Sequence, residues 1–171
     1  VHVAQGDYEE TGYEDASKGN SCVWIPEGVT VVADEGPDVT RILGKMGTGN
    51  SGRGPGAMRC AYVENGAVIR GFTLANGHTT GAETAEANVN CGGAILFVSA
   101  GDDAKCGLAD GCVITNCVGQ RGGAGLLQLL ADGLYTAGDA AFFTAGHPIQ
   151  QTLCQRADGR DIGADVGVEH P

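Results

Sequence analysis

The sequence predicts an all-β fold, a right-handed parallel β-helix of about five or six coils. Three observations lead there. Glycine supplies 30 of 171 residues while proline supplies only 5, so glycine-centred turns punctuate the chain without making it a proline-rich linker. The apolar residues, 42% of the total with aromatics at only 5%, are mostly Val, Ile, Leu and Ala, which suits a thin, layered aliphatic core. Two phrases also recur at long range: Phe72-Thr73-Leu74-Ala75-Asn76 lies over Cys112-Val113-Ile114-Thr115-Asn116, and Gly92-Gly93-Ala94 lies over Gly122-Gly123-Ala124.

Taken in order, Val1 to Ala4 reads as a first strand ended by Gly6. Cys22 to Ile25 and Gly28 to Ala33 follow, divided by the Pro26-Glu27 corner, and then Val39 to Leu43. Residues 44 to 56 contain six glycines and one proline and so read as a loop. Met58 to Val63, Ala67 to Leu74, Gly93 to Val98 and Cys112 to Cys117 continue the strand series. The unequal offsets of the two repeated phrases imply one insertion, at His78 to Asn90. Leu126, Leu127, Leu129, Leu130 and Leu134 fit a short C-terminal capping helix as well as a last coil. Asn76 and Asn116, at matching strand ends, are expected to stack as a short polar ladder. The inner face is expected to hold Val29, Val31, Ile42, Val68, Phe72, Leu74, Ile95, Val113 and Ile114. Residues 1 to 144 make the solenoid; 145 to 171 read as an extended tail, in the same domain or packed on a neighbouring subunit.

The formal charge of −11 and the scattering of ten Lys and Arg residues argue against nucleic acid as a partner, because phosphate contacts need a basic stripe. No apolar run approaches the ~18 residues of a membrane span, and no charged and then apolar leader opens the chain. Seven cysteines without a Cys-x-x-Cys unit fit an oxidising compartment better than a zinc site. Cys106 with Cys112, Cys22 with Cys60 and Cys91 with Cys117 are candidate disulfides, and core packing of the thiols is the other reading. His2, His78, His147 and His170 are dispersed and read as surface or loop residues. Trp24, Tyr8, Tyr13, Tyr62 and Tyr135 are too spread to make a sugar platform. No Asn-x-Ser/Thr sequon occurs.

At several places a family resemblance enters. Val1-His2-Val3 with Gly6-Asp7-Tyr8-Glu9 resembles the opening coil of pectate-lyase-like β-helices. Ile25-Pro26-Glu27-Gly28-Val29-Thr30-Val31-Val32 with Gly36-Pro37-Asp38-Val39-Thr40-Arg41-Ile42-Leu43-Gly44 resembles their second coil. Ala67-Val68-Ile69-Arg70-Gly71-Phe72-Thr73-Leu74-Ala75-Asn76-Gly77 is similar to bacterial surface β-helix repeats, and Asp161-Ile162-Gly163-Ala164-Asp165 to their closing segment. The resemblance covers roughly residues 1 to 125. It implies a fold and leaves function open, since such coils serve lyases, hydrolases, adhesins and structural proteins.

Two chemistries follow from it. Gly101-Asp102-Asp103 resembles the paired carboxylates of polygalacturonase-type hydrolases, but Asn-Thr-Asp, Gly-His-Gly and Arg-Ile-Lys are absent, and Pro148 follows Gly146-His147. In a pectate-lyase reading Asp102, Asp103 and Asp110 are the calcium candidates and Arg121 the proton-abstracting arginine. A structural calcium in the loop from Gly101 to Asp110 is the one cofactor to consider. The sequence is therefore read as a secreted or cell-surface structural or adhesive module, self-associating end to end into a filament, with a cell-surface glycan as a second partner. The alternative is a lyase, hydrolase or binding module for acidic polysaccharide.

Overall fold

The computed structural model describes residues 1–9, 12, 14–15, 17–49, 52–80, 87–100, 107–119, 125–130 and 149–151. It is all-β apart from one short helical turn, and nearly every strand pair is parallel. The first layer is β1 (His2–Val3), β2 (Gly6–Tyr8) and β3 (Ser21–Ile25). β4 (Thr30–Ala33), β5 (Thr40–Leu43) and β6 (Arg59–Val63) form the second, and β7 (Val68–Arg70), β8 (Thr73–Ala75) and β9 (Ile95–Ala100) the third. The fourth is β10 (Leu108–Thr115) and β11 (Gly125–Leu130). Each strand pairs in parallel with its equivalent one layer on: β1 with β4 and β4 with β7, β2 with β5 and β5 with β8, β3 with β6 and β6 with β9. β10 continues the first two stacks and β11 the third.

The described strands make four layers; five or six were expected of the whole chain, of which residues 131–148 and 152–171 lie outside the described residues. The two repeated phrases are in register: Val113 faces Thr73 and Thr115 faces Ala75, while Gly125 faces Ile95 directly after the glycine pairs. The insertion at His78 to Asn90 falls between β8 and β9, where it contains α1 (Ala87–Asn90). Of the segment that suited a capping helix or a last coil, residues 125–130 form strand β11, as a last coil would, and Leu134 lies outside the described residues. The strand runs residue by residue along β9 from Gly125 beside Ile95 to Leu130 beside Ala100, and these pairings satisfy a β9 edge that a helix would leave open. Within the tail, β12 (Ile149–Gln151) lies antiparallel to β10.

Two further differences have local causes. Gly6, expected to end the first strand, begins β2, since its N–H donates to the Val39 carbonyl at 2.9 Å and Tyr8 sits beside Ile42. The run Ala67 to Leu74 divides into β7 and β8 at Gly71, whose φ of +74° turns the chain. Gly111, at φ +57°, makes the equivalent bend within β10, and a β-carbon at either position would be strained.

Alternation sorts the expected core. Ile42, Phe72, Leu74, Ile95 and Ile114 are buried, joined by Ile25, Val63 and Ile69, and Val29 and Val31 pack against them from the margin. Val68 and Val113 are half-buried and lie outside this cluster, because their neighbours Ile69 and Ile114 take the inner face. The asparagine ladder is present: Asn76 and Asn116 are left-handed at φ +58° and +51°, and Asn116 Nδ2 donates to Asn76 Oδ1 at 2.7 Å.

Two predictions follow. Phe72→Asp places a carboxylate in the core and costs several kcal/mol, roughly 3 or more, enough to abolish cooperative unfolding, whereas Val68→Asp on the outer face is tolerated; urea denaturation followed by circular dichroism reads the difference. Asn116→Ala should cost about 2 kcal/mol, since alanine resists the left-handed region and the ladder bond is lost, whereas Asn116→Gly should cost ~1 kcal/mol or less.

Candidate functional site

The layers gather three groups of side chains: a charged outer surface, an aromatic corner and a set of buried thiols. On the outside of the sheets, Arg41 binds Asp7 through Nε at 2.6 Å and Nη2 at 2.7 Å, from one layer to the next. Arg70 Nε and Asp110 Oδ2 form the equivalent pair at 2.7 Å, between β7 and β10. Asp110, a sequence candidate for calcium, is thus held by an arginine on the adjacent strand. The other carboxylate candidates, Asp102 and Asp103, and Arg121 lie outside the described residues. Among the described residues no group of three or more His, Cys, Asp and Glu side chains is disposed to hold a metal ion, and no helix is long and apolar enough to cross a membrane.

The aromatic corner was hidden by distance along the chain. Trp24 on β3 lies beside Tyr62 on β6, and Lys18 Nζ stands 4.7 Å from the Trp24 ring centre and 5.5 Å from that of Tyr62. The same ammonium reaches Glu64 Oε1 at 3.3 Å. Cation–π attraction and the ion pair together fix the loop before β3 against the sheet. The common spacing of Trp24 to Tyr62 and Ile25 to Val63 is the signal that would have revealed it.

Arg59, also unanticipated, is completely buried beside α1, where Nη2 donates to the Val89 carbonyl at 3.2 Å. Burial pushes its guanidinium down to about 10, partly offset by Cys91 and Tyr62. It attaches the insertion to β6. His78, expected as a surface or loop residue, lies in the connection between β8 and β9 but is 2% exposed, because its ring bonds through Nδ1 to the Asn76 carbonyl at 2.8 Å and packs against Gly52. His2 is exposed and bonds Asp34 at 2.6 Å; His147 and His170 lie outside the described residues.

The cysteines correct the disulfide expectation. Cys22, Cys60, Cys91, Cys112 and Cys117 all carry free thiols, so neither Cys22–Cys60 nor Cys91–Cys117 is bridged; Cys106 lies outside the described residues. The thiols instead donate to strand-end carbonyls: Cys22 Sγ to Leu43 O at 3.0 Å and Cys60 Sγ to Ala75 O at 3.3 Å. Each therefore reaches from one layer to the carbonyl of the next. Burial and, to a lesser degree, Glu9 push the Cys22 thiol up to about 11, and burial likewise raises Cys112. The neighbouring Cys117 thiol and burial hold Cys60 well above the ordinary thiol range, while Cys117, beside Cys60, lies below it.

These shifts give a pH dependence. Unfolded thiols lose their protons near 9.0, whereas folded Cys22 keeps its own to about 11. Between those values the unfolded state binds fewer protons, so stability falls as pH rises; Cys60 and Cys112 act in the same direction and Cys117 opposes them. Under reducing conditions the urea midpoint should drop between pH 8.5 and pH 10.5, and Cys22→Ala should flatten that slope.

No family model matches this sequence, and neither a curated protein nor a solved structure is significantly similar to it.

Proposed function

We propose that this chain is an extracellular structural or adhesive module, built as a right-handed parallel β-helix of the pectate-lyase-like kind, which associates with copies of itself through its first layer. One observation carries the reading. β1, β2 and β3 each stand at the end of their stack, paired on one side only among the described residues. Their outward edges offer backbone N–H and C=O groups that a strand from another molecule satisfies. Val3 and Val23 lie only partly buried at this end, and Tyr8 is 39% exposed, so a stacked layer would also cover apolar surface.

In the fourth layer β12 lies along β10, while β11 is paired on one side only among the described residues. In this reading a second copy adds at the first layer. Contact between two first layers closes as a dimer, whereas contact from first layer to fourth propagates as a filament. The charged side chains of the outer surface pair across layers, Arg41 with Asp7 and Arg70 with Asp110. The lyase or hydrolase reading rests on Asp102, Asp103 and Arg121, which lie outside the described residues.

Multi-angle light scattering of the intact chain at micromolar concentration tests the reading. Oligomers are expected, and Val3→Lys, which sets an ammonium at the open end, should return the chain to monomer while preserving its circular dichroism. A strictly monomeric intact chain would overturn the proposal.

A further inference from the structure

Each strand of the stack has a near edge, turned to the layer before it, and a far edge, turned to the layer after. The near edge of β10 is occupied by β7 at residues 108–110 and by β8 at residues 113–115. Its far edge, where a next layer would stand, is taken in part by β12, with Gln151 beside Ala109 and Ile149 beside Cys112. β12 runs antiparallel, against the sense of the stack, and its register shifts between those two pairs. Beyond Cys112 the far edge of β10, and that of β11 along its length, carry no further strand among the described residues.

These open places fit the first layer of the same chain. The columns that end at the fourth layer begin at the first: Tyr8, Ile42, Leu74 and Ile114 share one register, and Trp24, Tyr62, Leu96 and Leu126 another. A second copy set one layer beyond the fourth therefore lays β2 along residues 113–115, with Tyr8 beside Ile114, and β3 along β11, with Trp24 beside Leu126. Strand sense and register then continue those within the chain. Tyr8 and Trp24, 39% and 38% exposed at the heads of their columns, become covered. The third strand, β1, finds its place taken. His2 is in register with Val32, Val32 with Arg70 and Arg70 with Asp110, so the second copy's β1 falls on the stretch of β10 that β12 holds.

We propose that the far edge of the fourth layer is a masked assembly surface, whose partner is the first layer of a second copy of this chain and whose mask is β12; the inference rests on the self-association proposed above. With β12 in place the intact chain stops at the closed dimer of two first layers. With β12 displaced, first layer meets fourth and the contact propagates. β12 is suited to release, because its three residues are held by two pairs out of step with each other, whereas β11 follows β9 through six consecutive residues. Local opening draws on such sparsely paired segments.

The test is Ile149→Pro with Gln151→Pro in the otherwise intact chain, since proline withdraws a backbone N–H and is excluded from the interior of a ladder. Light scattering and negative-stain electron microscopy read the products. The parent chain should stay at twice the monomer mass as concentration is raised, whereas the double variant, with unchanged circular dichroism, should grow into regular filaments of roughly tenfold that mass or more. Adding Val3→Lys should stop the growth. Should the double variant lose its circular dichroism, Gln151→Pro alone removes one of the two pairs and is read in the same way. The inference is overturned by a parent that already forms filaments, by a folded variant that keeps the parent's mass, or by filaments that persist with Val3→Lys. A dimeric parent matched by its variant removes the mask and leaves the association; a monomeric parent whose variant assembles removes the association of the intact chain and leaves the mask.

Discussion

Parallel hydrogen bonding between equivalent strands of successive layers is the constraint on which the structure depends. A short strand such as β7, of three residues, could not persist alone, but it is flanked by β4 and β10 and shares the register of both. Once that register is set, residues far apart in sequence become neighbours of the same kind. Ile42, Leu74 and Ile114 align on the inner face, Arg70 meets Asp110 on the outer, and asparagine meets asparagine at the turn. The core is consequently a set of aliphatic columns, each filled by one side chain per layer.

The turns impose a second requirement. A ladder survives only if the chain leaves one sheet and enters the next at the same place in every layer, and the paired glycines at 71 and 111 achieve this through matched positive φ angles. Where the turn residue is asparagine, the side chain adds a bond between layers that glycine could not supply. Burial also has costs here. The hydroxyls of Ser21 and Thr40 are enclosed without a hydrogen-bond partner, a penalty accepted where strands begin and alternation brings a polar residue inward.

Much of this was legible in the sequence, because stacked layers of equivalent parallel strands repeat their pattern along the chain. The two recurrent phrases located the β8–β10 and β9–β11 registers, the insertion between them and the asparagine ladder. What escaped notice lacked repetition or depended on the third dimension. β2 is a three-residue strand begun by glycine, and only pairing with β5 makes it a strand. Leu126, Leu127, Leu129 and Leu130 suited helix and strand alike until the β9 edge decided between them. Trp24 and Tyr62 looked remote because no phrase around them recurs. The thiols suited bridges and core packing alike, and Cys22 and Cys60 each find a carbonyl in the adjoining layer. Composition named the chemistry available; the layer stack selected the partners.

The unequal connections between strands have a consequence for how such a chain grows. Every ladder joins residues some thirty to forty positions apart, as in His2 beside Val32 and Val113 beside Thr73, so each added layer closes a loop of similar length. Loop-closure entropy rises only with the logarithm of length, and lengthening a connector by half adds about 0.4 kcal/mol. Connectors such as the one carrying α1 can therefore expand at little thermodynamic expense while the ladders keep their register. Assembly is quasi-one-dimensional: a finished layer is the template on which the next stretch of chain condenses. Variation can accumulate in the connectors along one side of the stack, where new surface is added without renegotiating the columns beneath.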